Sequence, residues 1–447
     1  GERGMTFPIT ERLPIKFDDA LPQSVDCVIV GGGVIGVSTA WYLRQRGLSV
    51  LVLEKGRIAG EQSSRNWGWV RTTWRDPAEV PIARDSIDCW ERLHQELGDG
   101  IGFRRGGILG LADDESTLAD WEAWLPVARD NGLDTYLLSA AEAQDAIPGA
   151  RGDWVGGILT PGDARCEPFT AVRTLARGLR ERGGLIRESC AVRTVEFEAG
   201  RIASVATEAG EVRTQAVVCA AGAWSNRFLG NHGIDLPQLC VRATVARTAE
   251  APEWWTGAAG VGDLYLRRRM DGGYTVTSEQ VEHLLGPGSL RYYRHFGPAR
   301  GQGGETAVRL GADPTQAPWP RRRWTGDSES PFEQHRILDP KPSASVLRDI
   351  RRLLEKRLPS LAQVPFADSW AGMIDATPDI VPVMDAIADR DGLFLATGFS
   401  GHGFGIGPGA GQVMARLVTG EDPGYDLERF RFKRFSDGST IRPGPAI

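Results

Sequence analysis

Three glycines, Gly31, Gly33 and Gly36, directly follow the apolar run Asp26-Cys27-Val28-Ile29-Val30, and Glu54 closes the next apolar run. Their types and spacing suit a dinucleotide. Gly31 permits a tight turn, Gly33 lets a backbone approach a pyrophosphate, and Gly36 allows a helix to pack closely on its strand. A helix expected over Val37–Arg46 would aim its free amides and dipole at the phosphates, with Val34 and Ile35 in the turn before it also placed at the cofactor. Glu54 is placed to accept a hydrogen bond from a ribose hydroxyl. This motif alone does not choose between FAD and NAD(P).

Three further segments do choose. From Glu54 and Lys55 the chain continues into a loop of small and polar residues, with Gln62, Ser63, Ser64, Arg65 and Asn66 able to offer amides and hydroxyls to more of a pyrophosphate. Ala216–Cys219 then reads as a strand returning beneath the nucleotide, with Ala221, Gly222 and Trp224 in the turn after it, and Val192 is placed in the same set. Near the end, a strand from Gly392 runs into Gly398, Gly401, His402, Gly403, Phe404 and further glycines, then a helix from Ala410 to Leu417. Glycines there let backbone approach a flat ring, and a helix N-terminus stabilises negative charge at its pyrimidine end. FAD is therefore the expected cofactor.

The elements that must position these residues alternate along the chain. The 447 residues exceed one ordinary core, and 41% hydrophobic with 25% charged residues fits a globular protein. The fold class expected is α/β with α+β: a discontinuous Rossmann-type FAD-binding domain (24–105, 150–238 and 370–447) and an inserted substrate-binding domain (106–149 and 239–369) on a mixed β-sheet flanked by helices. Helices are expected at Ile82–Leu97, Glu115–Asn131, Glu167–Gly183 and Ser343–Arg357, with tight turns at Ala199-Gly200 and Ala209-Gly210. A net charge of -6 argues against nucleic acid. The six cysteines are scattered without ligand spacing, so neither a metal nor disulfides are expected, and a reduced, cytoplasmic setting is. No apolar run reaches the ~18 residues of a membrane span, and the polar start is not a signal peptide.

Taken together these segments resemble the D-amino-acid oxidase superfamily, with glycine and sarcosine oxidases among its members, and the resemblance covers essentially the whole chain. Leu53-Glu54-Lys55-Gly56 running to Ser63, Gly230-Asn231-His232-Gly233-Ile234-Asp235-Leu236-Pro237, Pro331-Phe332-Glu333-Gln334-His335-Arg336, and Trp370-Ala371-Gly372 before Thr377-Pro378-Asp379 look most like L-amino-acid deaminases and soluble L-amino-acid oxidases. The resemblance implies oxidation of an L-amino acid by hydride transfer from Cα to flavin, giving a 2-oxo acid, ammonia and, with oxygen as acceptor, hydrogen peroxide. It implies Arg336 as the carboxylate anchor, with Arg71 second because sarcosine oxidases use an arginine there. His402 would line the substrate side, and Trp370 and Met373 would form apolar pocket walls. Sarcosine oxidases place a lysine where this chain has Gly405, and attach flavin to a cysteine near the position of Gly372. No cysteine lies there, so FAD is expected to be non-covalent. The sequence does not fix the oligomeric state, and a homodimer is among the assemblies open to it. The rivals are a D-amino-acid or secondary-amine oxidase or dehydrogenase, and an FAD-binding subunit without its own catalysis.

Overall fold

The all-apolar strands Cys27–Val30 and Val50–Leu53 are completely buried and form the middle of a six-stranded sheet. This is the environment that favours runs of Val, Ile and Leu without polar alternation. In the computed structural model, which describes residues 7–300 and 306–445, the order across this sheet is Val383–Ala386, Leu393–Thr397, Ala216–Cys219, Cys27–Val30, Val50–Leu53 and Leu185–Arg187. All neighbours are parallel except the first pair. Strand pleating sends alternate side chains to opposite faces. Cys27, Ile29, Val50 and Val52 accordingly join the core beneath the helices, while Val28, Val30, Leu51 and Leu53 face a second core.

That second core is covered by the antiparallel strands Val192–Glu198, Arg201–Thr207 and Gly210–Arg213. Ala199 and Gly200 both adopt positive φ in the first connection, as a two-residue hairpin turn requires. On the other face pack the helices Val34–Gln45, Val80–Leu97, Pro168–Glu181 and Gly403–Thr419.

A larger mixed sheet follows. Its longest ladder joins Leu239–Thr248 to Phe366–Ala376 in antiparallel register, from Leu239 opposite Ala376 to Thr248 opposite Phe366. The boundary expected at residue 370 therefore falls inside one continuous strand. The strand Gly156–Thr160, expected on the cofactor side, also pairs into this sheet beside Ile108–Ala112. Backbone pairing, which composition does not reveal, sets both memberships. Residues 301–305 of the Gly/Pro/Arg-rich stretch lie outside the described residues.

The C-terminal helix begins at Gly403 rather than Ala410 and carries Pro408 within it. Its glycines, expected to form a turn, are packing positions instead. A Cβ at Gly407 would lie 2.5 Å from Val34 Cγ2, and one at Gly411 would lie 2.6 Å from Ser38 Cβ. Dropping Cβ lets this helix lie directly on Val34–Gln45. Among the described residues no helix is long and apolar enough to cross a membrane, and no group of His, Cys, Asp and Glu could hold a metal ion.

Candidate active site

Two adjoining cavities open at the carboxyl ends of the parallel strands. The larger, about 1210 Å³ with its mouth, is bounded by the strand ends Val30, Leu53 and Thr397 and by Ala220. Gly31 turns there at φ +112°, and a Cβ on it would meet the Ala220 carbonyl oxygen at 2.2 Å. A Cβ on Gly36 would meet Gly31 O at 2.0 Å, so Gly36 serves packing and does not line the cavity. Ser63 Oγ accepts from Val34 N at 2.9 Å, satisfying one of the free amides at the start of the helix. Glu54 accepts from Gly32 N at 3.1 Å and from Gly56 N. Burial lifts its carboxyl to about 7 despite Lys55 and these amides. Lys55 Nζ pairs with Glu61 at 2.6 Å and sits 4.6 Å above the Trp224 ring.

At the far end Gly398, Gly401, Gly403 and Phe404 form the wall, where the helix Gly403–Thr419 starts. Asp375 fixes this turn, accepting from Gly398 N and Gln238 Nε2, each at 2.9 Å. Burial raises its carboxyl. A glycine loop feeding a helix N-terminus, an acid for a ribose, and a second helix N-terminus beside a glycine wall match the parts of FAD in order. Gly33, Val34, Ile35, Gln62, Asn66, Val192, Ala221, Gly222 and Met373 also line this cavity, and no cysteine does.

The smaller cavity, about 630 Å³, shares Gln62, Asn66, Gly401 and Phe404 with the larger one. It therefore adjoins the end where a flavin ring would lie. Its remaining walls come from Trp67–Trp69, Arg71, Arg75, Glu79, Ala83, Ile374, His402, Gly405 and Ile406. Among the described residues, half of the buried side-chain nitrogens and oxygens that lack a hydrogen-bond partner belong to this lining: Gln62 Oε1, Trp69 Nε1, Arg75 Nε and Nη2, Glu79 Oε1 and His402 Nε2. Each such orphan costs about 1–3 kcal/mol, so their concentration marks a place built to receive a polar ligand.

Arg71 is half-buried and carries no ion pair or hydrogen bond among the described residues; its guanidinium lies 5.4 Å from the Trp69 ring centre. The backbone beyond it is locked by Asp163, which accepts from Thr72 and Thr73 through both backbone and hydroxyl groups at 2.6–3.0 Å. Burial nevertheless pushes Asp163 up to about 6. Arg75 is buried, and burial pulls its guanidinium down to about 10 against the opposing pull of Glu79, Asp163 and Asp76. His402 Nε2 and Glu79 Oε1 are 2.8 Å apart and almost fully buried. The contact is close but not aligned as a hydrogen bond, so both atoms count among the orphans.

Several expected residues lie elsewhere. Arg336 lines neither cavity: both oxygens of Glu208 take its guanidinium, at 2.9 and 2.7 Å, and it donates to Lys55 O on the outer side of the Glu54–Gly56 turn. Its fork is filled, so the role of carboxylate anchor is corrected. Trp370 is not a pocket wall; it stacks on Phe7 and donates to Arg65 O. Arg65 is consumed by Gly60 O, Ala371 O, Ile9 O and Asp339, and Ser64 bonds Glu61 O, so neither reaches the cofactor cavity. Gly372 sits beneath Gln62, whose Oε1 would lie 2.2 Å from a Cβ there. A Cβ on Gly405 would lie 3.1 Å from both Trp69 O and Val70 Cα, so a side chain at that position would press on the backbone leading to Arg71.

Arg75 and Glu79 were absent from the expected site. They lie in an irregular stretch before the helix Val80–Leu97, where no spacing rule applies. Their one sequence signal is a cluster of opposite charges beside Trp74, just after Arg71.

Residues 26–417 match the model of a family described as DAO, FAD dependent oxidoreductase. Among curated proteins, the chain is 26% identical to 4-methylaminobutanoate oxidase (formaldehyde-forming) of Paenarthrobacter nicotinovorans, covering 95% of this chain and 47% of that one. It is also 26% identical to glycine oxidase of Pseudomonas aeruginosa, covering 89% and 96%. The chain thus spans about half the length of the first of these relatives. Among solved structures it is similar to L-amino acid deaminase from Proteus myxofaciens in complex with anthranilate, at TM-score 0.89, 29% identity and 97% coverage of each chain. The corresponding Proteus vulgaris enzyme gives 0.88 and 27%, covering 93% and 98%.

Proposed function

The chain belongs to the DAO family of FAD dependent oxidoreductases, and from that premise we propose that it oxidises the Cα–N bond of an L-amino acid held in the smaller cavity. The observation that carries this reading is the cluster of unpartnered polar atoms around an unpaired Arg71, beside the glycine wall of the cofactor cavity. Likeness to two L-amino acid deaminase structures along nearly their full length supports the choice of substrate class. Absence of cysteine from the larger cavity's lining supports non-covalent FAD.

Bound FAD supplies a two-electron acceptor. The chain's own residues do the rest. Arg71 takes the substrate carboxylate through a forked, charge-assisted contact. His402, backed by Glu79, offers a buried acceptor for a proton of the amino group. Phe404, Ile374 and Ile406 exclude water, which favours a fixed approach of Cα–H. The imino acid released reacts with water to give 2-oxo acid and ammonia, and oxygen, as final acceptor, leaves as hydrogen peroxide.

A second reading, oxidation of glycine or a secondary amine, is favoured by the names of the curated relatives. One experiment separates them. The purified yellow protein is mixed anaerobically with L- and D-amino acids, glycine and sarcosine, and air is then admitted. Bleaching by L-amino acids followed by peroxide supports the first reading. Bleaching only by D-amino acids, glycine or N-methyl amines overturns it, and no bleaching at all overturns both.

A further inference from the structure

Arg75 is a second cation in the substrate cavity that a simple amino acid leaves unanswered. Resting on the reading above, we infer that the substrate is an amino acid carrying a second carboxylate, and that Arg75 is the residue that selects it. Arg75 is 4% exposed, lines the cavity, and has no ion pair or hydrogen bond to its side chain among the described residues; Nε and Nη2 are fully enclosed. A buried arginine is normally met by a carboxylate.

Three carboxylates lie near enough to favour the charged form of Arg75, yet none forms an ion pair or hydrogen bond with its guanidinium among the described residues. Glu79 faces His402 at 2.8 Å. Asp163 is filled by Thr72 and Thr73. Asp76 accepts from Arg429 and Ala78 N. With Arg71 taking the α-carboxylate, Arg75 still lacks an anion bonded to its guanidinium. Trp69 Nε1, another buried donor without a partner, belongs to the same lining and adds a neutral hydrogen bond suited to a carboxylate oxygen. The tryptophans of this wall thus serve a polar ligand as much as a bulky apolar one.

The test uses the FAD-loaded protein and unreactive ligands read by the shift of the visible flavin spectrum. Succinate and glutarate are compared with propionate and butyrate, in wild type and in Arg75→Gln. The expected result is dicarboxylate binding at least tenfold tighter in wild type, falling to within twofold of the monocarboxylates in Arg75→Gln. Equal binding of the two classes in wild type, or a preference that survives in Arg75→Gln, overturns the inference. Should Arg75→Gln lose its flavin, Arg75→Lys provides the second variant, expected to retain part of the preference; the wild-type comparison alone already decides against the inference if no preference exists. Anaerobic bleaching by L-glutamate, L-glutamine and L-norvaline keeps the two readings apart. If the neutral amino acids bleach the flavin as fast as glutamate, this inference fails and the oxidase reading stands. If none bleaches it, the oxidase reading fails while the ligand comparison still reports on Arg75.

Discussion

The two cavities are built by opposite means. The larger is made chiefly of backbone: glycines, helix starts and strand ends, with its polar side chains, the shared Gln62 apart, tied into the scaffold, as Glu54 is to Gly32 and Gly56 and Asp375 is to Gly398. The smaller is made of side chains drawn from separate stretches, and it holds polar atoms with no partner. A cofactor that stays bound is met by permanent, self-satisfied groups. A substrate that comes and goes is met by groups left waiting, at a cost the rest of the fold must cover.

This contrast can be broken most severely at Gly31. Gly31→Val places a branched side chain at positive φ against the Ala220 carbonyl, and the protein is expected to purify colourless, with no detectable FAD absorbance. Retention of full yellow colour would mean the glycine loop does not hold the cofactor. Next in size is Arg71→Ala. It should keep FAD at wild-type stoichiometry while amino-acid kcat/KM falls about 100-fold, the worth of a charge-assisted forked contact of about 3 kcal/mol.

Glu54 sharpens the comparison through pH. On the proposal that Glu54 accepts a hydrogen bond from a ribose hydroxyl when ionised, FAD affinity should be highest above pH 7 and decline as pH falls through about 7. In Glu54→Gln that pH dependence should flatten, with affinity about tenfold weaker at pH 8, one hydrogen bond to a charged group being worth about 1.5 kcal/mol. Equilibrium titration of apoprotein with FAD at pH 6 and 8 measures both. The smallest effect is expected at Arg336→Ala. Its pair with Glu208 is partly exposed, so denaturant titration should show a stability loss of no more than about 1 kcal/mol. Amino-acid KM should change less than twofold; a large rise would restore Arg336 to the substrate site.

The same contrast explains what could be read in the sequence. Gly31, Gly33, Gly36 and Glu54 sit at fixed offsets on one strand–helix–strand unit, so local geometry dictates their types. The apolar strands and the amphipathic helices Val80–Leu97 and Pro168–Glu181 were legible for the same reason. The smaller cavity was not. Arg71, Arg75 and Glu79 converge with His402 only because the helix Gly403–Thr419 packs against Val80–Leu97, a contact made through glycines that read locally as a turn. Arg336 shows the converse: a motif match located the segment, but Glu208, far away in sequence, decides what its guanidinium does.

The central claim is that Arg71, beside the flavin end of the cofactor cavity, receives the substrate carboxylate. Stopped-flow flavin bleaching under anaerobic conditions, over a range of L-amino-acid concentrations, tests it most directly in wild type and Arg71→Ala of equal FAD content. The apparent Kd is expected to rise about 100-fold or more in the variant, with bleaching slow throughout the accessible range. An unchanged Kd and bleaching rate in Arg71→Ala would contradict it and move the substrate out of this cavity.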